Sequence, residues 1–244
     1  MLASCTIYDM PRAPLHIGIV ACSAEGAALC YRTICSEAES LMGPHNHPEV
    51  SMHTLPFVHH VNCMRAGDWQ GVADQLIAST RKLAAIGADF LICPDNTAHR
   101  AMPLVYSRSP LPWLHIAEEV ARESARRGYR KVGLTGTKAL VESEVYPEKL
   151  AALGITFVRP DLQERERIDD IIFRELVRGI FNQESLQYLG TVVSAMKSAG
   201  CDAVVLGCTE LPLLAGAEAL PLPTLDSTRI LARAALVRAA GGTD

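Results

Sequence analysis

Two short segments of this 244-residue chain each end in a side chain able to move a proton. Gly87-Ala88-Asp89-Phe90-Leu91-Ile92-Cys93-Pro94-Asp95-Asn96-Thr97 and Gly200-Cys201-Asp202-Ala203-Val204-Val205-Leu206-Gly207-Cys208-Thr209-Glu210 share one layout. Each runs from a glycine and an aspartate through an apolar, strand-like run to a reactive group beside a hydrogen-bonding one. Placing Asp89 on Asp202 sets Asp95 on Cys208 and Asn96 on Thr209. A carboxylate and a thiol are both general acids and bases. One such group at each of two equivalent strand ends predicts an active site between two related lobes.

Cys208 follows a strand and precedes what reads as a helix start, with Thr209, Glu210 and Pro212 in the first turn. Backbone N–H groups there would lower a thiol pKa from its usual value of about 8.5. A small buried core residue is the other reading of the same cysteine. Asp95, at the matching place, also suits capping of the helix that Asp95-Asn96-Thr97 would open. Capping and catalysis do not exclude one another. Cys93 lies two residues earlier, on the same side of the strand, where packing is its expected role.

The positioning elements repeat as well. Leu111-Pro112-Trp113-Leu114-His115 recurs as Leu222-Pro223-Thr224-Leu225-Asp226, and Ile17-Gly18-Ile19-Val20-Ala21-Cys22 as Val132-Gly133-Leu134-Thr135-Gly136-Thr137. The matches keep their order and nearly one offset, so the chain holds two copies of one α/β unit. Strands are predicted at Leu15 to Cys22, Val50 to Leu55, Asp89 to Pro94, Trp113 to Ile116, Lys131 to Thr135, Ile155 to Val158, Ala203 to Cys208 and Thr224 to Asp226. Helical periodicity marks Trp69 to Ile86, stopped by Gly87, then Ile168 to Phe181 and Thr228 to Ala240. Few charges in the strands and helices between them imply parallel sheets covered on both faces, with ligands beyond the strands' carboxyl ends. The predicted fold is α/β: two pseudo-twofold-related lobes, each a mostly parallel sheet flanked by helices, around a cleft.

Composition narrows the partners. The 23 basic and 27 acidic residues leave a net charge of −4, and aromatic residues make up 5%, which offers no basic groove or stacking platform for nucleic acid. No apolar run approaches the roughly 20 residues of a membrane span. Asp9 and Arg12 break the N-terminus, so no signal peptide is expected and a cytoplasmic protein is the default. Eight cysteines form no CxxC pair, which argues against disulfide staples and zinc-ligand spacing. His45, His47, His53, His59 and His60 crowd together, but the Gly43-Pro44 and Pro48 context reads as a loop, and no metal is expected. No phosphate-binding glycine loop or pyridoxal phosphate signature is present.

Cys93-Pro94-Asp95-Asn96-Thr97-Ala98-His99 and Gly207-Cys208-Thr209-Glu210-Leu211-Pro212-Leu213-Leu214 resemble the two signatures of the aspartate/glutamate racemase family. The usual forms are a cysteine followed by Asn-Thr-x-His and a Gly-Cys-Thr-Glu. The likeness spans nearly the whole chain, including Ile17-Gly18-Ile19, Leu114-His115-Ile116, Gly133-Leu134-Thr135-Gly136-Thr137 and Ile171-Ile172-Phe173-Arg174-Glu175-Leu176. It implies an amino-acid racemase or epimerase without a cofactor, in which one group removes the α-proton while another protonates the opposite face. By resemblance, Asp95 and Cys208 are the pair. Asn96, Thr97, Thr209 and Glu210, the loop residues Cys22 and Ser23, and His99, His115 and Arg167 are expected at the substrate. The resemblance also implies a homodimer, a first lobe at 1–116 to which 222–244 returns, and a second lobe at 117–221.

The chain departs from the family at the first thiol, which is Asp95. An unperturbed aspartate lies about 4.6 pKa units below a thiol, so ionised Asp95 with protonated Cys208 is favoured by roughly 6 kcal/mol before the site acts. The two directions of turnover are therefore expected to differ, and a carboxylate at the site repels a second substrate carboxylate. Two rival readings keep the cleft: a cofactor-free decarboxylase or cis–trans isomerase of small dicarboxylic acids using one cysteine, and a small-acid binding protein without turnover.

Overall fold

A computed structural model describes residues 13–216 and 219–242; Cys5, Asp9 and Arg12 lie outside them. Two parallel sheets form. The first has the order β2-β1-β3, with β1 at Ile17–Ala21, β2 at Val50–Thr54 and β3 at Phe90–Ile92. The second has the order β5-β4-β6-β7, with β4 at Lys131–Thr135, β5 at Thr156–Val158, β6 at Ala203–Leu206 and β7 at Thr224–Asp226.

The internal repeat survives at the level of backbone pairing. β1 lies between β2 and β3 as β4 lies between β5 and β6. Asp89 accepts the His16 N–H at 2.7 Å, and Asp202 accepts the Lys131 N–H at 2.9 Å, so each aspartate pins the start of its strand to the central one. The predicted strand at Trp113 to Ile116 is reduced to one bridge between Leu91 and Trp113. Leu91 N–H reaches Pro112 O, Leu114 N–H reaches Leu91 O, and His115 then opens the helix Ile116–Arg126. In the second copy the equivalent Val204 to Thr224 pairing continues for three residues.

Alternation along the strands separates two packing layers per sheet. Ile17, Ile19, Phe90 and Ile92 face the helices Ala24–Glu37 and Ser227–Ala239, whereas Val20, Leu91 and Cys93 face Trp69–Ala85. In the second sheet Val132, Leu134 and Val205 turn toward Ile116–Arg126 and Val145–Ala151. Val204, Leu206 and Cys208 turn toward Leu162–Arg174 and Gln183–Ser198.

Two boundaries differ from the sequence expectation. The helix predicted at Ile168 to Phe181 runs from Leu162 to Arg174, then tightens to a 3₁₀ turn at Leu176–Arg178 and stops at Gly179 with φ 72°. Its early start is set by a capping box: Asp161 accepts the Glu164 N–H while Glu164 accepts the Asp161 N–H. The charged residues at 164–167 thus lie in its first turns. At the other end of the chain, Thr224–Asp226 pairs with β6, so this segment stays with the second sheet. The return toward the first sheet begins at Ser227, where Asp226 caps the last helix through the Arg229 N–H.

Gly207 sits where β6 meets the cleft. A Cβ there would lie 2.6 Å from the Thr135 carbonyl oxygen and 2.7 Å from Leu140 Cδ2. The carbonyl belongs to the neighbouring strand and cannot rotate away. Gly207→Ala is expected to destabilise the fold by about 1–3 kcal/mol, the usual range for overpacking. Urea denaturation read by circular dichroism checks this, with a lowered midpoint as the expected result.

Candidate active site

The carboxyl ends of the two sheets face one cavity of about 40 Å³ that Asp95 and Cys208 line together, with Ser23, Asn96, Thr97 and Thr209. Thr137, Gly207 and Glu210 complete its polar side, and an apolar wall of Phe57, Met64, Ile172, Phe173 and Val177 closes the rest. It adjoins a wider vestibule of about 560 Å³, sharing Met64, Thr97, Thr137 and Phe173 with it; Arg65, Arg100 and Arg178 line this outer space.

Asp95 divides its carboxylate between two tasks. Oδ1 accepts the Ala98 N–H at 2.9 Å, capping the short helix that Thr97–Ala101 begins. Oδ2 lies 3.7 Å from His60 Nε2, on the buried side of the helix Phe57–Ala66. Burial alone would depress the His60 pKa, but Cys22 and Asp95 outweigh it and carry it up to about 9. Cys22 itself is pushed well above the usual thiol range, first by its contact with Cys93 at 3.9 Å and then by burial.

Cys208 does not have the acidified thiol expected from the sequence. The following helix, Leu211–Leu214, is only one turn long. Burial, then the Glu210 carboxylate, raise the Cys208 pKa well above the usual value. Sγ donates to Glu210 Oε2 at 3.0 Å, and the Thr209 hydroxyl donates to the same oxygen at 2.8 Å. The resting group is a protonated thiol.

The remaining predicted residues separate into those at the cavity and those behind it. Asn96 is buried and bonded at both ends of its amide. Its Oδ1 accepts from Tyr146 OH at 2.6 Å, and its Nδ2 donates to Ser227 Oγ at 2.9 Å. Ser227 donates its own proton to Leu206 O, which fixes the amide's orientation. The Thr97 and Thr137 hydroxyls pair at 2.9 Å across the two sheets. Ser23 caps Ala24–Glu37 through the Gly26 N–H, while Thr209 packs on Gly26 so closely that a Cβ would meet its Cγ2 at 2.7 Å.

Four expectations change. Cys22 packs behind Asp95 against Val20 and Cys93 rather than lining the cavity. His99 is structural: its Nε2 accepts the Ile116 N–H at 3.2 Å, so Nδ1 carries the proton and donates to Asp95 O at 2.8 Å. Burial lowers its pKa to about 4. His115 stacks edge-on against His99 at 4.5 Å, also behind the cavity. Arg167 is exposed on the capping-box helix, whose cavity-facing residues are Ile172 and Phe173.

Sequence reasoning did not single out His60, Tyr146, Thr137 or Ser227. Thr137 was accessible through the repeat, as the counterpart of Cys22; the other three are recruited by tertiary packing. Replacing Glu210 tests the account of Cys208. Glu210→Gln removes the carboxylate that disfavours the thiolate, so the Cys208 pKa should fall. Alkylation by iodoacetamide, followed against pH by peptide mass spectrometry, should then accelerate at lower pH than in the unaltered protein.

Comparison with known proteins identifies the family of the chain. The profile of the Asp/Glu/Hydantoin racemase family matches residues 17–235. The broad specificity amino-acid racemase RacX of Bacillus subtilis is 23% identical over 188 residues, 77% of this chain and 80% of that protein. A glutamate racemase of Thermus thermophilus is 33% identical over 153 residues, covering 60% of this chain and only 54% of its own length. A solved candidate Asp/Glu racemase of Yersinia pestis superposes with a TM-score of 0.84 at 29% identity, over 92% of this chain and 99% of that one. The chain belongs to the Asp/Glu/Hydantoin racemase family, and racemase is the enzyme class this membership assigns it.

Proposed function

We propose that this enzyme racemises or epimerises a small α-amino acid without a cofactor, with Asp95 and Cys208 acting from opposite faces of the α-carbon. The observation that carries the reading is the shared cavity, into which the two repeated strand ends deliver one carboxylate and one thiol. In one direction the Asp95 carboxylate takes the α-proton, and the C–H electron pair moves into the substrate carboxylate to give a planar enediolate. The Cys208 thiol gives its proton to the other face and becomes a thiolate. Backbone N–H groups at the two strand ends and the second amide N–H of Asn96 would hold the enediolate oxygens.

The raised Cys208 pKa sharpens the asymmetry between the directions. The equilibrium constant of racemisation is one, so kcat/KM is equal both ways, and the asymmetry is confined to kcat and KM separately. After each favoured turnover the pair holds its protons the wrong way round, and exchange with water resets it. Glu210, hydrogen-bonded to Cys208, would relay the replacement proton by taking one from water and passing it to the thiolate.

The apolar wall formed by Phe57, Met64, Ile172 and Phe173 has no basic side chain facing it from the cavity lining. It favours uncharged substrate side chains over those of aspartate and glutamate. The arginines of the vestibule would draw the substrate carboxylate inward. We take the working form to be a cytoplasmic homodimer of two-lobed chains; among the described residues no helix is long and apolar enough to cross a membrane.

Proton NMR in deuterium oxide with L- and D-amino acids tests the reaction. Loss of the α-proton signal is expected, fastest with apolar or small side chains, and lost in both Asp95→Asn and Cys208→Ser. Exchange surviving Asp95→Asn would make Cys208 the lone acid–base group. No exchange with any amino acid, but carbon dioxide release or alkene isomerisation from a dicarboxylic acid, would replace the racemase reading with its single-cysteine rival.

A further inference from the structure

Directly behind the cavity, three side chains from three elements converge. Cys22 Sγ at the end of β1, His60 Nε2 from Phe57–Ala66 and Asp95 Oδ2 after β3 all lie within 4.8 Å of one another. The His60 ring is 4% exposed, and its Nε2 is fully enclosed without a hydrogen-bond partner. Asp95 Oδ2, 3.7 Å away, is beyond hydrogen-bond reach, and a buried imidazole nitrogen left without a hydrogen bond beside a carboxylate and a thiol calls for an explanation.

Its surroundings hold it in that direction. Phe57 stacks on the ring at 6.0 Å with the planes 19° apart. The second Asp95 oxygen is tied to the Ala98 N–H, which leaves Oδ2 turned toward His60. Cys93 lies 3.9 Å from Cys22 Sγ and belongs to the same packed layer. These three donors are thus pre-arranged rather than loosely adjacent.

We propose that Cys22, His60 and Asp95 form a binding site for a thiophilic divalent cation of the zinc class, entered from the cleft beside Asp95. One sulfur, one nitrogen and one oxygen suit zinc or cobalt, and a thiolate with an imidazole disfavours magnesium and calcium. Donors at about 2.0–2.3 Å from one ion stand roughly 3.4–3.8 Å apart in a tetrahedron. The 3.7 Å between His60 and Asp95 already meets this, and a small side-chain rotation brings in Cys22. The fourth position opens toward the cavity, where Asp95 is 15% exposed.

The expectation of no metal rested on the histidines of a loop. His45, His47 and His59 are indeed exposed, and His53 pairs with Ser79, but His60 belongs to a helix and points inward. Occupancy would take the Asp95 lone pair away from the α-proton, so the cation inhibits; this half of the proposal rests on the two-base reading, whereas the binding half does not.

Cobalt(II) titration of chelator-treated protein tests binding without any amino acid. One equivalent should produce a thiolate-to-cobalt charge-transfer band and raise the melting temperature, and zinc should abolish the band. Cys22→Ser should lose the band, and His60→Gln should weaken binding at least about tenfold, the low end even for disturbing groups behind a ligand. Asp95→Asn is the third arm if either variant fails to fold. No band, or a band that survives Cys22→Ser, overturns the site. Solvent exchange of the α-proton measured with chelator and then with zinc separates the two halves. Suppression by zinc, reversed by chelator, supports inhibition, and exchange indifferent to zinc overturns it. A cobalt band in a protein that exchanges no amino acid leaves the site standing and the racemase reading fallen.

Discussion

The buried amide of Asn96 is the interaction on which the cavity depends. It follows β3, yet both of its bonds go elsewhere: one to Tyr146 on the helix Val145–Ala151, the other to Ser227 at the start of the last helix. Ser227 continues the chain of bonds to the carbonyl of Leu206, at the end of β6. Two strand ends from different sheets are thereby tied by two buried hydrogen bonds in series, with Tyr146 holding the far end of the amide. Such a network is strong only when complete, because an unpaired buried amide costs more than one bond returns. The lobes cannot shift relative to each other at this point without breaking all of it, and this holds Asp95 and Cys208 on one cavity.

Around that tie each reacting group has a second group behind it. Cys208 rests against Glu210, and Asp95 lies beside His60. The supports differ in kind: a carboxylate that disfavours the thiolate stands behind Cys208, and an imidazole stands behind Asp95. The duplicated backbone is therefore symmetric, and the electrostatics placed on it are not. His99 serves both copies' geometry by joining the Asp95 carbonyl to the first N–H of Ile116–Arg126. Its low pKa keeps it neutral, as the acceptor role of Nε2 requires.

Much of this arrangement was legible before any coordinates. The repeat located both strand ends, because the Asp89 and Asp202 signals and the alternation after them are local. The two sheets followed from strand composition, as did the cap at Asp95. What could not be read was any property decided by burial against a distant segment. Cys208 looked acidic because helix onset is visible in sequence, whereas the enclosing core and the turn of the Glu210 carboxylate are not. Arg167 looked functional because a charged run gives no indication of which side faces the cavity. The Asp161 and Glu164 capping box was present in sequence and would have corrected the helix start. His60 was hidden among neighbours of the same type; only its place on a helix turns it inward.

The double duty of the Asp95 carboxylate bears on how this chain can change over generations. A thiol at that position would be a poor cap, whereas aspartate satisfies the Ala98 N–H outright. Asp95→Cys would forfeit that bond, worth about 1 kcal/mol in comparable helix starts. It would also leave the nearby imidazole without its anionic neighbour. The carboxylate therefore contributes to stability independently of any part in catalysis, and a thiol at this position would need a replacement anchor for the start of the following helix.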